Sequence, residues 1–356
     1  MLGRVPDRDY SALTRAVAAG EVKTFRRWAR TSGWITTARP PVSALQMIVL
    51  VLIGAFFLVI MSTVVSFMGL LLPHDLGTVA AILTPVALLA LVTAAAVTGW
   101  RAWTGSAATW EKRLRLRELA AARDCSYGGH VPAPPYPGMI FDIGTDRRSY
   151  DSVRALSGRA LDVANYRYTV RRDRSSTVHR WGYLALKLDR RLPHMVLDAT
   201  SNNLLFGSNL PRRFGKGSVL SLEGDFDRYF TLYCPPEYGR DALYVFTPDL
   251  MALLIDESSA FDVEIVDDWM FVYSTEPFDL LQPAVWQRLE RIVDTVGSKT
   301  LSQTERYADE RVPDPRLNVV APQGRRIHRG LAPGAFVMSL IVIGGVTAFH
   351  ALRLWG

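Results

Sequence analysis

Three long apolar runs and one stretch of alternating residues organise the chain. From Met47 to Leu72 the sequence reads MIVLVLIGAFFLVIMSTVVSFMGLLL, interrupted by Ser62, Thr63 and Ser66. A second run, Thr78 to Gly99, follows the turn Pro73-His74-Asp75-Leu76-Gly77, and a third extends from Leu331 to Phe349. A membrane crossing takes roughly 20 apolar residues at about 1.5 Å each. The pattern therefore predicts a transmembrane hairpin at 45–99 and a third transmembrane helix at 331–350. Thr84-Pro85 would kink the second helix, and Gly344-Gly345 would let another helix approach the third. A buried core helix is the alternative for the third run, but its all-round apolarity favours lipid.

From Ala160 the period changes to two. Asp162–Val170 alternates, Arg171–Thr177 is a polar turn, and Trp181–Leu188 and Met195–Leu197 continue the alternation; Val219–Leu222 and Tyr229–Tyr233 add strands. Phe261–Val266 and Trp269–Tyr273 read as a hairpin around Asp267-Asp268. Thr247-Pro248-Asp249 has the chemistry of a helix start, predicting a helix over 248–256. A second helix is predicted over 283–297, with Val285, Leu289, Ile292 and Val296 on one face. Together these predict an α+β cytoplasmic domain at 150–324, a mostly antiparallel sheet with flanking helices, plus the three transmembrane α-helices.

The remaining segments connect these. Residues 1–44 form a basic cytoplasmic arm, in which Tyr10–Trp28 has loose helical spacing weakened by Gly20. In 100–149, Thr109–Arg123 is a helix by propensity, and the Pro/Gly-rich stretch Gly128–Gly138 reads as an extended linker.

Charge decides orientation. The chain carries 41 Lys and Arg against 34 Asp and Glu, a net +7. The excess is not in the α+β domain: residues 151–324 hold 21 basic against 25 acidic residues, and the remainder 20 against 9. A nucleic-acid-binding module carries its basic patch on the fold itself, so nucleic acid is not an expected partner. Arg and Lys cluster before the first run, after the second and before the third, which predicts a multi-pass cell (plasma) membrane protein with its N-terminus and domain inside and its C-terminus outside. Trp28, Trp34, Trp100, Trp103 and Trp355 fall where interface anchors would lie. The two cysteines, Cys125 and Cys234, form no metal-ligand spacing and read as free thiols.

The candidate chemistry is sparse. Lys23, Arg26, Arg27 and Arg30 in the arm, and Arg212, Arg213 and Lys216 around Phe214 and two glycines, could contact phosphate or anionic lipid headgroups. A topology signal and a solvated hairpin loop are the alternatives. Glu223, Asp225 and Asp227 would share one face of a strand and could hold a divalent cation; a solvated strand end is the simpler reading. His179 and His194 lie beside arginines with no metal spacing, and His194 would share a face with Asp198 only in an unbroken strand. No P-loop, nucleophile elbow or dinucleotide fingerprint occurs. No cofactor and no metal is expected, and no catalytic residue is identified.

The segment Leu222-Glu223-Gly224-Asp225-Phe226, followed by Asp227–Tyr233 and then Leu243-Tyr244-Val245-Phe246-Thr247-Pro248-Asp249-Leu250-Met251, resembles a bacterial membrane-anchored family of unknown function. The likeness spans residues 222–278, and the whole chain is similar to actinobacterial integral membrane proteins. The resemblance implies paired membrane helices joined to a cytoplasmic α+β domain, with no catalytic residues to carry over. The expected function is a membrane-anchored binding or scaffolding module for an unknown cytoplasmic protein partner, with the lipid bilayer as its other partner. A membrane enzyme with a site in the α+β domain is the alternative.

Overall fold

The alternation that begins near residue 160 becomes an antiparallel sheet, and it runs further in both directions than the local pattern indicates. The computed structural model describes residues 9–32, 108–172, 175–203, 208–212, 214–222, 224–314 and 316–327, with isolated helical positions at Gly54, Ile60, Thr63, Val64, Phe67 and Ala94. The chain divides into two compact units, residues 1–15 together with 116–356, and residues 16–115.

The larger unit is built on seven strands: β1 (Cys125–Pro132), β2 (Thr145–Ala155), β3 (Leu161–Arg172), β4 (Ser175–Ala199), β5 (Val219–Leu220), β6 (Phe230–Tyr233) and β7 (Asp262–Ser274). Their order is β1-β2-β3-β4-β6-β5, with β7 on the free side of β4, and every pairing is antiparallel. β4 is the spine, pairing with β3, β6 and β7. It is buried on both faces from Trp181 to Leu186 and from Leu192 to Ala199, which gives the nearly continuous apolar run of a two-sided strand.

One face carries Tyr166, Tyr168, Trp181, Tyr183, Phe271 and Tyr273, covered by Met139-Ile140-Phe141, Leu210 and Ile327. The other carries Leu184, Leu186 and Met270; an added Cβ on Gly297 would come within 2.8 Å of Leu186, so helix and sheet approach closely there. The helices after β6 are α1 (Gly239–Val245), α2 (Pro248–Leu253), α3 (Pro283–Ile292) and α4 (Ser298–Thr304). α2 and α3 each end in a π turn, Leu254–Ser258 and Val293–Gly297. Pro248 occupies the first turn of α2, as its fixed φ allows.

In the smaller unit, the helix Ala19–Thr31 is opened by Glu21, whose carboxylate accepts the Ala18 N–H at 3.2 Å. Its Phe25 meets Trp110 at 6.0 Å. Trp110 belongs to the helix 108–122, in which Leu116, Leu119 and Ala120 are buried.

Several expectations need correction. Three transmembrane helices are not found: among the described residues, no helix is long and apolar enough to cross a membrane. The helix Ala19–Thr31 has 13 residues, about 20 Å against a hydrocarbon core of about 30 Å, with Lys23 and Arg27 exposed. The runs 47–72, 78–99 and 331–349 lie outside the described residues, apart from the isolated positions named above. The multi-pass topology and plasma-membrane localisation rested on those runs and are withdrawn with them. The stretch 128–138 is no linker, because residues up to Pro132 pair with β2 and Met139 is buried. The hairpin around Asp267-Asp268 is one strand: Ile265 pairs with Met195 and Trp269 with Lys187. The register shifts at this point, with β4 carrying residues 188–191 where β7 carries only Asp268, and Asp267 beside the shift has φ 53°.

Candidate functional site

The residues singled out by sequence are divided between the two units. In the helix Ala19–Thr31, Lys23 and Arg27 are exposed, while Arg26 is half-buried and lies 5.8 Å from the Trp110 ring centroid. The side chain of Arg30 lies outside the described residues. Arg212, in the other unit, is ion-paired with Asp142. Arg213, the Lys216 side chain and Glu223 also lie outside the described residues. Asp225 precedes a 3-10 turn, Phe226–Arg228, and Asp227 lies within it, so the two do not share a strand face. Asp227 is occupied locally, accepting from the Ser221 hydroxyl and from the Leu222 N–H at 3.2 Å.

The unbroken course of β4 does place His194 and Asp198 on one face, and there the structure has a row of buried polar groups that local sequence did not indicate. His194 Nδ1 accepts the Ile327 N–H at 3.1 Å, so its proton is on Nε2, which donates to Glu264 Oε1 at 2.8 Å. Glu264 Oε2 accepts from the Tyr273 hydroxyl and the Met139 N–H, both at 2.7 Å. His194, Glu264 and Tyr273 are 2%, 1% and 0% exposed. This network is complete and closed to solvent, and its work is to fasten residues 139 and 327 to the sheet.

Further along the same strands, Asp198 and Asp262 are both buried. Asp262 Oδ1 accepts from the Ala199 N–H at 2.9 Å and from Asn202 at 3.1 Å, while its Oδ2 and Asp198 Oδ1 have no hydrogen-bond partner among the described residues. Burial pushes the Asp262 carboxyl up to about 7; the bonds from Ala199 and Asn202 oppose the rise and the neighbouring Asp198 adds to it. Burial also raises Asp198, against hydrogen bonds from Ser208 and Asn203. Asp162 collects the hydroxyls of Ser152, Tyr136 and Tyr183 and the guanidinium of Arg154 at 2.7–3.0 Å. Among the described residues, no three His, Cys, Asp or Glu side chains are grouped to hold a metal ion.

Open to solvent instead is a groove of about 520 Å³ beside the outer part of β4. Val178, His179, Arg180 and Trp181 form one wall, and Thr275-Glu276-Pro277 with Asn209 the rest. His179 is held flat against Tyr168, with ring centroids 5.0 Å apart, and Trp181 meets Tyr273 edge-on at 6.5 Å. The groove thus has a fixed aromatic floor, an exposed aliphatic side chain in Val178 and charges of both signs. Sequence reasoning noted His179 only as an isolated histidine; the groove depends on where β7 leaves the sheet, which no local motif encodes.

No family model matches the chain, and no curated protein matches it. The motif likeness around residues 222–278 therefore stands on its own residues. Among solved structures, the mycobacterial trehalose monomycolate transport factor A, TtfA, is similar at a TM-score of 0.36 and 12% identity, covering 53% of this chain and 92% of that one. A likeness at that level carries no statement about function.

Proposed function

We propose that the antiparallel domain is a binding or scaffolding module whose ligand site is the groove beside β4. The observation that carries this reading is the contrast in access. The groove is solvent-open and walled by rigidly packed aromatic, aliphatic and charged side chains, whereas the acid, histidine and tyrosine groups of the His194 network are sealed and mutually satisfied. A catalytic site needs a base or nucleophile within reach of substrate, and the sealed network offers no such group to a ligand. Pockets that mix apolar surface with a few placed polar groups are the usual form of a recognition site.

A crystallographic fragment screen tests the reading and needs no named ligand. Hits are expected to cluster against Val178, Trp181 and Thr275, and to be lost in the variant Val178→Lys. Hits scattered over the surface, or concentrated elsewhere, would remove the groove as the binding site.

A further inference from the structure

We propose that the open edge of β4 in this groove takes an extended acidic peptide as an added β-strand. The inference rests on the binding-module reading and names the partner's chemistry.

The first observation is register. β3 accompanies β4 as far as the Arg172–Ser175 pair, but β7 stops at the Gly182–Ser274 pair. Among the described residues, 176–181 therefore have a strand on one flank only. The chain beyond Ser274 is prevented from filling the other flank. The Phe278 N–H donates to Asn165 Oδ1 at 2.6 Å and the Asn165 amide returns a bond to the Phe278 carbonyl at 3.0 Å. The Phe278 ring packs on Gly182, and Pro277 has no N–H to give to a ladder. Residues 275–277 are thus fixed as the far wall of the groove. A strand edge with unpaired backbone groups is a template for a further strand.

The second observation is charge. Arg148 is directly opposite Arg167, and Arg167 directly opposite Arg180, so three arginines form one row across β2, β3 and β4. Like charges directly opposite one another destabilise a sheet. Asp146 offsets the first two, bonding Arg148 and Arg167, and is held below the usual carboxylate range by Arg167 and Arg148. Arg180 is exposed and has no ion pair among the described residues, and neither has Arg171, four residues from Arg167 on the same strand face. A strand added beyond β4 would put its own residue next in this row, beside Arg180, where Asp or Glu fits. Its alternate residues would turn to the other face, towards His179 and Trp181, where apolar side chains fit. The recognised sequence is therefore acidic and apolar in alternation. A second copy of this edge is disfavoured as occupant, because it would bring another Arg180 against the same row.

The test uses the full chain and a short blocked peptide alternating Glu and Val, with a Gln/Val peptide of equal length and a single-stranded oligonucleotide as comparisons. The acidic peptide should bind at least about fivefold more tightly than the Gln peptide at low salt. That difference should shrink at about 0.5 M salt, where screening is short-ranged, and the amides of 176–181 should gain protection from hydrogen exchange. Arg180→Glu, and separately Arg171→Glu, should each reduce the preference. Equal binding of the two peptides, no binding, no new protection at 176–181, or tighter binding of the oligonucleotide would each overturn the proposal. If fragments occupy the groove but the peptide leaves the edge unprotected, strand addition fails while the binding-module reading survives; if fragments avoid the groove, both fail.

Discussion

At Asp262 a carboxyl with an ordinary value of 3.8 is pushed up to about 7 inside the fold. The folded state therefore prefers the protonated acid. Stability from this group is fully present below the unfolded value and is lost as pH rises through the folded one. Asp198 is shifted in the same direction, so the pair should make the protein less stable as pH climbs from about 4.5 to about 8. The arginine-paired Asp146 and Asp189 are shifted downward, and Asp309 lies below its usual range despite partial burial, held by the Ala321 and Arg311 N–H groups. Their contributions disappear only under acid and do not mask the trend. Asp262→Asn keeps the shape and the Oδ1 acceptor for Ala199 but removes the ionisation. Urea denaturation across this range should show a flatter profile for Asp262→Asn and a gain of a few kcal/mol near pH 8, since each tenfold change in acidity is worth about 1.4 kcal/mol. Parallel profiles would mean that the Asp262 carboxyl has the same acidity in the folded and unfolded chain, so that burial does not raise it. The partners here explain why sequence missed the row: His194 and Glu264 are 70 residues apart, and only the register of β4 on β7 brings them together.

Gly182 shows how a single element positions its neighbours. An added Cβ would lie 2.8 Å from Cδ1 and Cγ of Phe278 and 2.9 Å from Cδ2. That ring is 7% exposed and its backbone is clamped by Asn165, so it has little freedom to yield. Gly182→Ala should cost about 1–3 kcal/mol, as overpacking does, read as a lower urea midpoint with an unchanged slope. Trimming the ring in the double variant with Phe278→Leu should recover part of the loss. A cost below about 0.5 kcal/mol would show that the ring moves freely. Elements whose signals are local were legible: the alternation of β3 and of β4 through Leu188, the Pro248 helix start and the stripe of α3. β1 was not, because Gly128, Gly129 and Pro132 read as turn punctuation, although that strand gains its order from pairing with β2. β7 was split for a similar reason. Asp267-Asp268 looks like a turn, but Arg326 takes Asp267 and Lys187 takes Asp268, and β4 holds both halves in line.

Across the whole molecule, residues 16–115 form one unit inserted between Arg15 and Leu116 of the other. The two junctions are tied together within the larger unit. Arg15 forks onto Glu118 with Nε 2.8 Å from Oε2 and a terminal nitrogen 2.6 Å from Oε1. Five residues earlier, the Tyr10 hydroxyl donates to Glu290 at 2.6 Å, and its ring carries the Arg123 guanidinium at 4.6 Å. Arg123 is itself ion-paired with Glu290, and both side chains are largely buried. Burial, with the bond to Glu290, raises the Tyr10 hydroxyl above its ordinary value. Leu13, 3% exposed, completes the attachment. Sequence treated this stretch as part of a basic cytoplasmic arm; the long-range pairing with Glu290, 280 residues away, is what fastens Tyr10. Tyr10→Ala removes the hydroxyl bond and the cation–π contact while leaving the Arg123–Glu290 pair, a loss of about 1–3 kcal/mol. The loss should be local. Amides 11–15 should exchange faster and trypsin should cut after Arg15 more readily, with the sheet amides unchanged, and Tyr10→Phe, which keeps the ring, should fall between. Unchanged cleavage after Arg15 in Tyr10→Ala would show that the Arg15–Glu118 fork holds the junction by itself.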